Sequence, residues 1–383
     1  MKKFMITVTF IFVSVFCTFS NVKAESLADF LLTAAQAQEE EQTSVANADQ
    51  TAEASAFACF NSTKGNIVLG VDSYNSILLG LYYGALNSSF ERLERLTATK
   101  KRPDLRVYTA PLQEMKGYEN AILALTASRF NTIFKNRYEE IGAKFSEEVK
   151  LNKSVANINY AIERQTGLKG VLKNIPNDPN GVLLLSVSKQ HTAWKFRMKD
   201  STMDWNHKKR VQSIVGQIEV ATSTAPNGST IFHLRMEDGV VMSIIFNDDD
   251  ETGIGEWLAE SIQKASNFEN TVVEIPVFEI ESEINFKDFS PLKFLFTDDA
   301  ELLFGNVEQK LFEARQISKI VLNNRGLDAV SVTYAETISK GLFIPPKAEL
   351  KFDRPFTVVW SYISPNGEPM PTFAARVVNP SSK

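Results

Sequence analysis

The chain has 383 residues, of which 44% are hydrophobic and 23% charged, and its formal net charge is −5. This composition is typical of a globular protein and excludes a collagen, a mucin-like stalk or a disordered acidic tail. The acidic balance does not fit a nucleic-acid binder, and two cysteines are too few for a disulfide-built scaffold.

Residues 1–24 are predicted to be a secretory signal peptide. Two lysines follow the initiating methionine, residues 4–19 form an apolar run, and Val22 and Ala24 supply the small residues before the cleavage point. The run is too short for a comfortable membrane span, and no second apolar span follows, which argues against an uncleaved anchor. We therefore expect a secreted protein with no membrane association, in which Cys59 is the one remaining thiol.

Residues 25–56 are predicted to be a flexible lead-in, because they are rich in Ala, Gln and Glu and poor in large apolar side chains. No comparable break follows, so residues 57–383 are predicted to form one large domain. Secretion makes N-x-[ST] sequons meaningful as glycosylation sites. Four are present, at Asn61, Asn87, Asn152 and Asn227.

Helices dominate the first part of this domain and strands the second. Periodicity predicts helices at residues 73–86, 88–98, 154–165 and 255–265. It predicts strands at residues 181–187, 211–221, 231–234, 240–246, 272–280 and 356–363. Because the elements do not alternate regularly, we expect an α+β fold with antiparallel or mixed sheets.

The sequence contains no recognisable catalytic or metal-binding motif. Its three histidines, His191, His207 and His233, lack metal-ligand spacing, and there is neither a nucleophile elbow nor a Walker loop. We therefore expect no enzyme activity, no metal and no cofactor.

One basic cluster could bind a sulfated polysaccharide weakly, and a solvated loop before Pro103 is the other interpretation. The cluster consists of Lys100, Lys101, Arg102 and Arg106.

The C-terminal third carries the most specific pattern of the chain. Its motifs are Gly326-Leu-Asp-Ala-Val-Ser-Val-Thr333, Pro345-Pro346, Phe352-Asp-Arg-Pro-Phe356 and Arg376-Val-Val-Asn-Pro380. In these motifs the chain resembles the serpin family. Upstream segments follow in that family's order, so that the resemblance spans about residues 57–380.

The resemblance implies a serpin fold, with three β-sheets, about eight or nine helices and an exposed reactive loop at about residues 326–345. It also implies a monomeric suicide inhibitor, whose loop is cleaved by a serine protease and then inserts into the large sheet. Family spacing from the hinge glycine, Gly326, puts the bait bond between Lys340 and Gly341. A lysine there suits a trypsin-like protease.

The loop has two alternating faces, as expected of a strand. By resemblance, the face that inserts into the protein carries no charge and includes Leu327, Ala329, Ser331, Thr333 and Ala335. The other face carries both acidic residues, Asp328 and Glu336. This pattern favours insertion.

Several residues depart from the family pattern: Leu327 replaces Thr or Ser, Asn324 a hinge glutamate, Ser186 an asparagine and Gln316 a histidine, and Gly70-Val71 replaces Ser-Pro. These departures leave an alternative, a non-inhibitory serpin that acts as a binding or carrier protein in an extracellular fluid. In overall likeness the chain also resembles the seminal-fluid serpins of insect male accessory glands.

Overall fold

The computed structural model describes residues 55–97, 111–112, 114–126, 132, 134–136, 144–146, 155–166, 169, 171, 182–246, 254–304, 309–311, 314–329 and 349–381. All of them belong to the unit Asn47–Lys383. The predicted signal peptide, the basic cluster at residues 100–106 and the loop residues 330–348 lie outside the described residues.

The four predicted helices are confirmed, each with bounds within two residues of those expected. They are α1 (Val71–Gly84), α2 (Asn87–Thr97), α3 (Val155–Thr166) and α4 (Ile254–Lys264). Residues 55–61 are also helical. Two short 3-10 helices, Phe286–Asp288 and Ser290–Phe296, follow one another later in the chain.

The described strands form two sheets. The six-stranded sheet has the order β10-β11-β12-β4-β2-β3, and the nine-stranded sheet has the order β1-β15-β14-β8-β7-β6-β9-β13, with β5 paired to β6. The strands are β1 (Ile67–Gly70), β2 (Tyr118–Thr126), β3 (Lys144–Ser146), β4 (Val182–Ala193), β5 (Lys199–Trp205), β6 (Lys209–Thr224), β7 (Thr230–Arg235), β8 (Val240–Phe246), β9 (Glu269–Pro276), β10 (Phe278–Asn285), β11 (Arg315–Asn323), β12 (Gly326–Ala329), β13 (Leu350–Lys351), β14 (Phe356–Ile363) and β15 (Pro369–Val377).

The nine-stranded sheet accounts for the difference from the three sheets expected. Its longest strand, β6, has 16 residues. One edge of β6 pairs first with β5 and then with β7, while the other edge pairs with β9. Because β6 is shared, two groups of strands that could be counted as separate sheets are joined by continuous hydrogen bonding.

The single strand predicted at residues 272–280 is wrong, because two strands of different sheets occupy this segment. β9 ends at Pro276, and β10 begins at Phe278. Proline has no N–H with which to continue a ladder. Val277, between the two strands, donates its N–H to the carbonyl of Gln212, and the chain passes from one sheet to the other at this point.

Helix α1 packs against both sheets, through β4 of one and β15 of the other. It ends at Gly84, where a Cβ atom would come within 2.1 Å of the Phe304 ring, so a larger residue would displace that ring. Cys59 is buried nearby in the same apolar cluster, and burial raises the pKa of its thiol to about 12. No helix among the described residues is long and apolar enough to span a membrane.

Candidate functional site

The candidate site is a slot in the six-stranded sheet that is occupied by β12. Strand β12 pairs in antiparallel fashion with β11 on one side and with β4 on the other. The two flanking strands therefore run parallel to each other, with β12 between them. The sheet holds the first four residues of the segment that begins at Gly326.

Gly326 is required at the entrance to this slot. Its φ angle is 137°, in a region that side chains disfavour. A Cβ atom here would lie 2.0 Å from the carbonyl oxygen of Thr192 on β4. Any larger residue would have to push β12 away from its neighbour.

Leu327 fixes β12 on the side that faces the core. It lies opposite Leu322 of β11 and Thr192 of β4, and its side chain is fully buried. Burial of a leucine side chain stabilises by about 2 kcal/mol relative to exposure. The leucine that departs from the family pattern is therefore compatible with an inserted position.

Asp328 lies on the other face of the sheet, directly opposite His191 of β4. Its carboxylate accepts a hydrogen bond of 2.6 Å from Nδ1 of that imidazole. The His191 side chain is 55% exposed and that of Asp328 is 26% exposed.

The turn between β11 and β12 explains another departure from the family pattern. Asn324 donates from its amide to Oδ1 of Asp200 at 3.0 Å. A glutamate at the same place would put a second carboxylate beside Asp200. The turn is also held by the indole of Trp194, which donates to the carbonyl of Asn323 at 2.7 Å.

Strand β11 is tied to the start of α1 by Gln316. Its Nε2 donates to the carbonyl of Gly70 at 2.9 Å, and its Oε1 accepts from the N–H of Gly70 at 2.8 Å. On the other side of the slot, Ser73 donates to the carbonyl of Ser186 at 3.2 Å. The Oγ atom of Ser186 is buried and has no hydrogen-bond partner among the described residues.

A buried carboxylate connects α1 to β2 and β4. Asp72, in the first turn of α1, is fully buried and accepts hydrogen bonds from the hydroxyls of Tyr118 and Ser188. Burial raises the pKa of this carboxyl to about 6, although the hydrogen bonds oppose the shift. Its two donors lie on strands at one side of the slot.

The chain that follows the loop is anchored by β13, which pairs in parallel with β9. Glu274 of β9 is buried, accepts a hydrogen bond of 2.8 Å from Ser213 and forms an ion pair of 3.1 Å with Lys351 of β13. Phe352, the next residue, is fully buried. The described residues on both sides of the loop are thus held in sheets.

The structure describes only part of the predicted site. Gly326, Leu327 and Ala329 lie in β12, whereas Ser331, Thr333, Ala335, Lys340 and Gly341 lie outside the described residues. Three predicted glycosylation sites, Asn61, Asn87 and Asn227, are exposed, and the fourth, Asn152, lies outside the described residues. Their modification stays a prediction.

The polar contacts across the slot could not be predicted from the sequence, because each depends on pairing between distant segments. In the sequence, Asp72 is recognisable only as an acidic residue near the start of a helix, where such residues are common. Asp328 was assigned to the outer face, but no sequence pattern pointed to His191 as its partner.

One apolar pocket lies beneath α1, with a cavity volume of about 10 Å³. Its lining includes Tyr74, Leu78, Phe286, Leu295 and Leu311. Among the described residues, no three His, Cys, Asp or Glu side chains gather as a metal site would require.

Structural comparison identifies the fold. The cleaved form of Serpin 42Da matches with a TM-score of 0.67 and 17% identity, over 90% of this chain and 100% of that one. Serpin48 of the insect Tenebrio molitor, described as highly specific, matches with a TM-score of 0.62 and 16% identity, over 88% and 98%. Thyroxine-binding globulin in complex with thyroxine matches with a TM-score of 0.64 and 16% identity, over 89% and 100%.

No family profile and no curated protein sequence matches the chain. The fold is therefore recognised from the three-dimensional arrangement and not from sequence identity.

Proposed function

Because the chain has the serpin fold, we propose that it is a secreted suicide inhibitor of a trypsin-like serine protease. The bait bond of this proposal is Lys340–Gly341. The observation that carries the proposal is β12, because the sheet already holds Gly326–Ala329 between β4 and β11 with Leu327 buried. A protease inhibitor of this kind needs a sheet that can accept the cleaved loop as a strand.

The residues of β4 and β11 beyond Ala329 are suitable neighbours for the loop residues that would follow β12. In a continued register, we expect Ser331 to lie between Ser188 and Ser318, two buried serines on the flanking strands. The small polar surface of these neighbours matches a serine better than a bulky apolar residue.

Thr333 is expected one step further, between Ser186 of β4 and Gln316 of β11. Its hydroxyl would there be able to bond the Oγ of Ser186, which has no partner among the described residues. A buried polar group without a partner is unfavourable by about 1–3 kcal/mol, so the inserted strand would remove a penalty.

In the proposed mechanism, the protease carries out the covalent chemistry. Its serine attacks the carbonyl of Lys340 and forms an acyl-enzyme, while the new amino group on Gly341 leaves with the C-terminal part of the loop. This chain contributes the bait bond, and the free-energy gain from loop insertion then displaces the attached protease.

The test is a mixture of the purified protein with trypsin, followed by a denaturing gel. We expect a covalent complex whose mass is that of trypsin plus this chain without the released residues 341–383, and Lys340→Ala should prevent its formation. Thr333→Arg should yield cleaved protein without complex, because a charge would have to enter the buried face. Tyr334→Arg, one residue away on the outer face, is the matched control and should still form complex.

The alternative is a non-inhibitory binding or carrier protein in an extracellular fluid such as seminal fluid. The apolar pocket beneath α1 is its candidate ligand site, but its cavity volume of about 10 Å³ leaves room for about one water. Pockets for drug-sized ligands occupy about 300–1,000 Å³. Clean cleavage by trypsin with no covalent complex would reject inhibition and favour this alternative.

A further inference from the structure

We infer that His191 and Asp328 form a latch that holds the first inserted residues in the sheet and so governs how readily the rest of the loop enters. The inference rests on the proposed function, since it concerns the regulation of the same slot. The latch is the 2.6 Å contact between Nδ1 of His191 and Oδ1 of Asp328. Both are positioning residues, because neither touches the bond that the protease cleaves.

The latch exists only while β12 is in the slot. His191 belongs to β4, which is also held by β2, and its own N–H donates to the carbonyl of Gly117. Asp328 belongs to the segment that must enter the sheet. Removal of that segment would separate the two side chains, so their interaction favours the inserted arrangement over the open one.

The position of the latch makes it an early step. Asp328 is the third residue of β12, directly after Leu327. Burial of Leu327 stabilises β12 in the sheet, but an apolar contact is not directional. A hydrogen-bonded pair on the opposite face fixes the rotation of the strand, and thereby determines which residues of the following loop face the core.

Other charged residues lie near the latch. Glu119 of β2 lies opposite Lys189 of β4 in the sheet register. Lys319 of β11 forms an ion pair of 2.6 Å with Glu279 of β10, and Lys116 forms one of 3.7 Å with Asp238. Asp328 is the residue that lies directly opposite His191.

The contribution expected of the latch is modest. Because both side chains are partly exposed, loss of the contact should change the ease of insertion by about two- to five-fold.

The experiment measures hydrogen-exchange protection factors for residues 326–329 of the intact protein. Asp328→Asn and His191→Gln should each lower protection by about two- to five-fold, and the double variant should lower it no further than either single one. Glu119→Gln, a matched carboxylate change on the same face, should retain the wild-type protection. Unchanged protection in both single variants would overturn the latch.

The second measurement is the number of inhibitor molecules consumed per trypsin molecule trapped. This number should rise about two- to five-fold in Asp328→Asn and stay unchanged in Glu119→Gln. Reduced protection with unchanged consumption would refute control of insertion by the latch. If the wild type forms no complex, the proposed function fails, and insertion is then measured as the rise in unfolding temperature after trypsin cleaves the loop. An equal rise in Asp328→Asn and in the wild type would also overturn the inference.

Discussion

Replacement of Asp72 by asparagine should stabilise the protein at neutral pH. Burial raises the pKa of this carboxyl from 3.8 to about 6, so the folded state holds a proton more tightly than the unfolded state. The associated stability is fully present below pH 3.8 and is lost as the pH rises through about 6. Above that pH, the buried charge weakens folding by about 3 kcal/mol, at about 1.36 kcal/mol per pKa unit.

Asparagine removes the charge and can still accept from Tyr118 and donate to Ser188. We therefore expect Asp72→Asn to raise the free energy of unfolding by about 1–3 kcal/mol at pH 8, once some loss of hydrogen-bond strength is subtracted. The gain should shrink steadily between pH 6 and pH 4, where the wild-type carboxyl becomes protonated.

Urea unfolding at pH 4, 5, 6, 7 and 8 measures this profile. Asp288→Asn is the control, because Asp288 is exposed and lies outside the network. A difference between wild type and Asp72→Asn that does not vary with pH would refute the linkage. A less stable Asp72→Asn at pH 8 would show that the hydrogen bonds to the charged form outweigh its desolvation.

Three further substitutions test the slot itself. Gly326→Ala should introduce about 1–3 kcal/mol of backbone strain, and exchange protection of β12 should fall at least ten-fold. Asn324→Glu should lower the free energy of unfolding by about 1 kcal/mol, because it replaces a hydrogen bond to Asp200 with charge repulsion; high salt should reduce the loss. Gln316→Ala should lower it by about 2–3 kcal/mol in urea unfolding, because both backbone groups of Gly70 lose their partner. An unchanged urea midpoint in Asn324→Glu or in Gln316→Ala would contradict the corresponding contact.

The helices could be predicted from the sequence because their signals are local. The periodic run before Gly84 predicts a helix there, and the structure ends α1 at that glycine. The segment around Pro276 could not be predicted in the same way. A run of apolar and β-branched residues fits one long strand, and only the pairing with distant β6 and β11 separates β9 from β10.

The contact between Asp328 and His191 could not be predicted from the sequence either. Alternation along the loop assigns Leu327 and Asp328 to opposite faces, and this needs no knowledge of neighbouring strands. The contact to His191 does need it, because the two residues are 137 positions apart in the chain. Long-range polar pairs of this kind leave no periodic signal in either segment.

The departures at Gln316 and Asn324 are explained better by co-adaptation than by relaxed constraints. A relaxed site would leave substituted side chains without specific partners, whereas Gln316 makes two hydrogen bonds to Gly70 and Asn324 makes one to Asp200. Ser186 differs, since its hydroxyl has no partner among the described residues. In the proposed register, Ser186 lies opposite Thr333. Its hydroxyl would therefore gain a hydrogen-bond partner only when the loop enters the sheet.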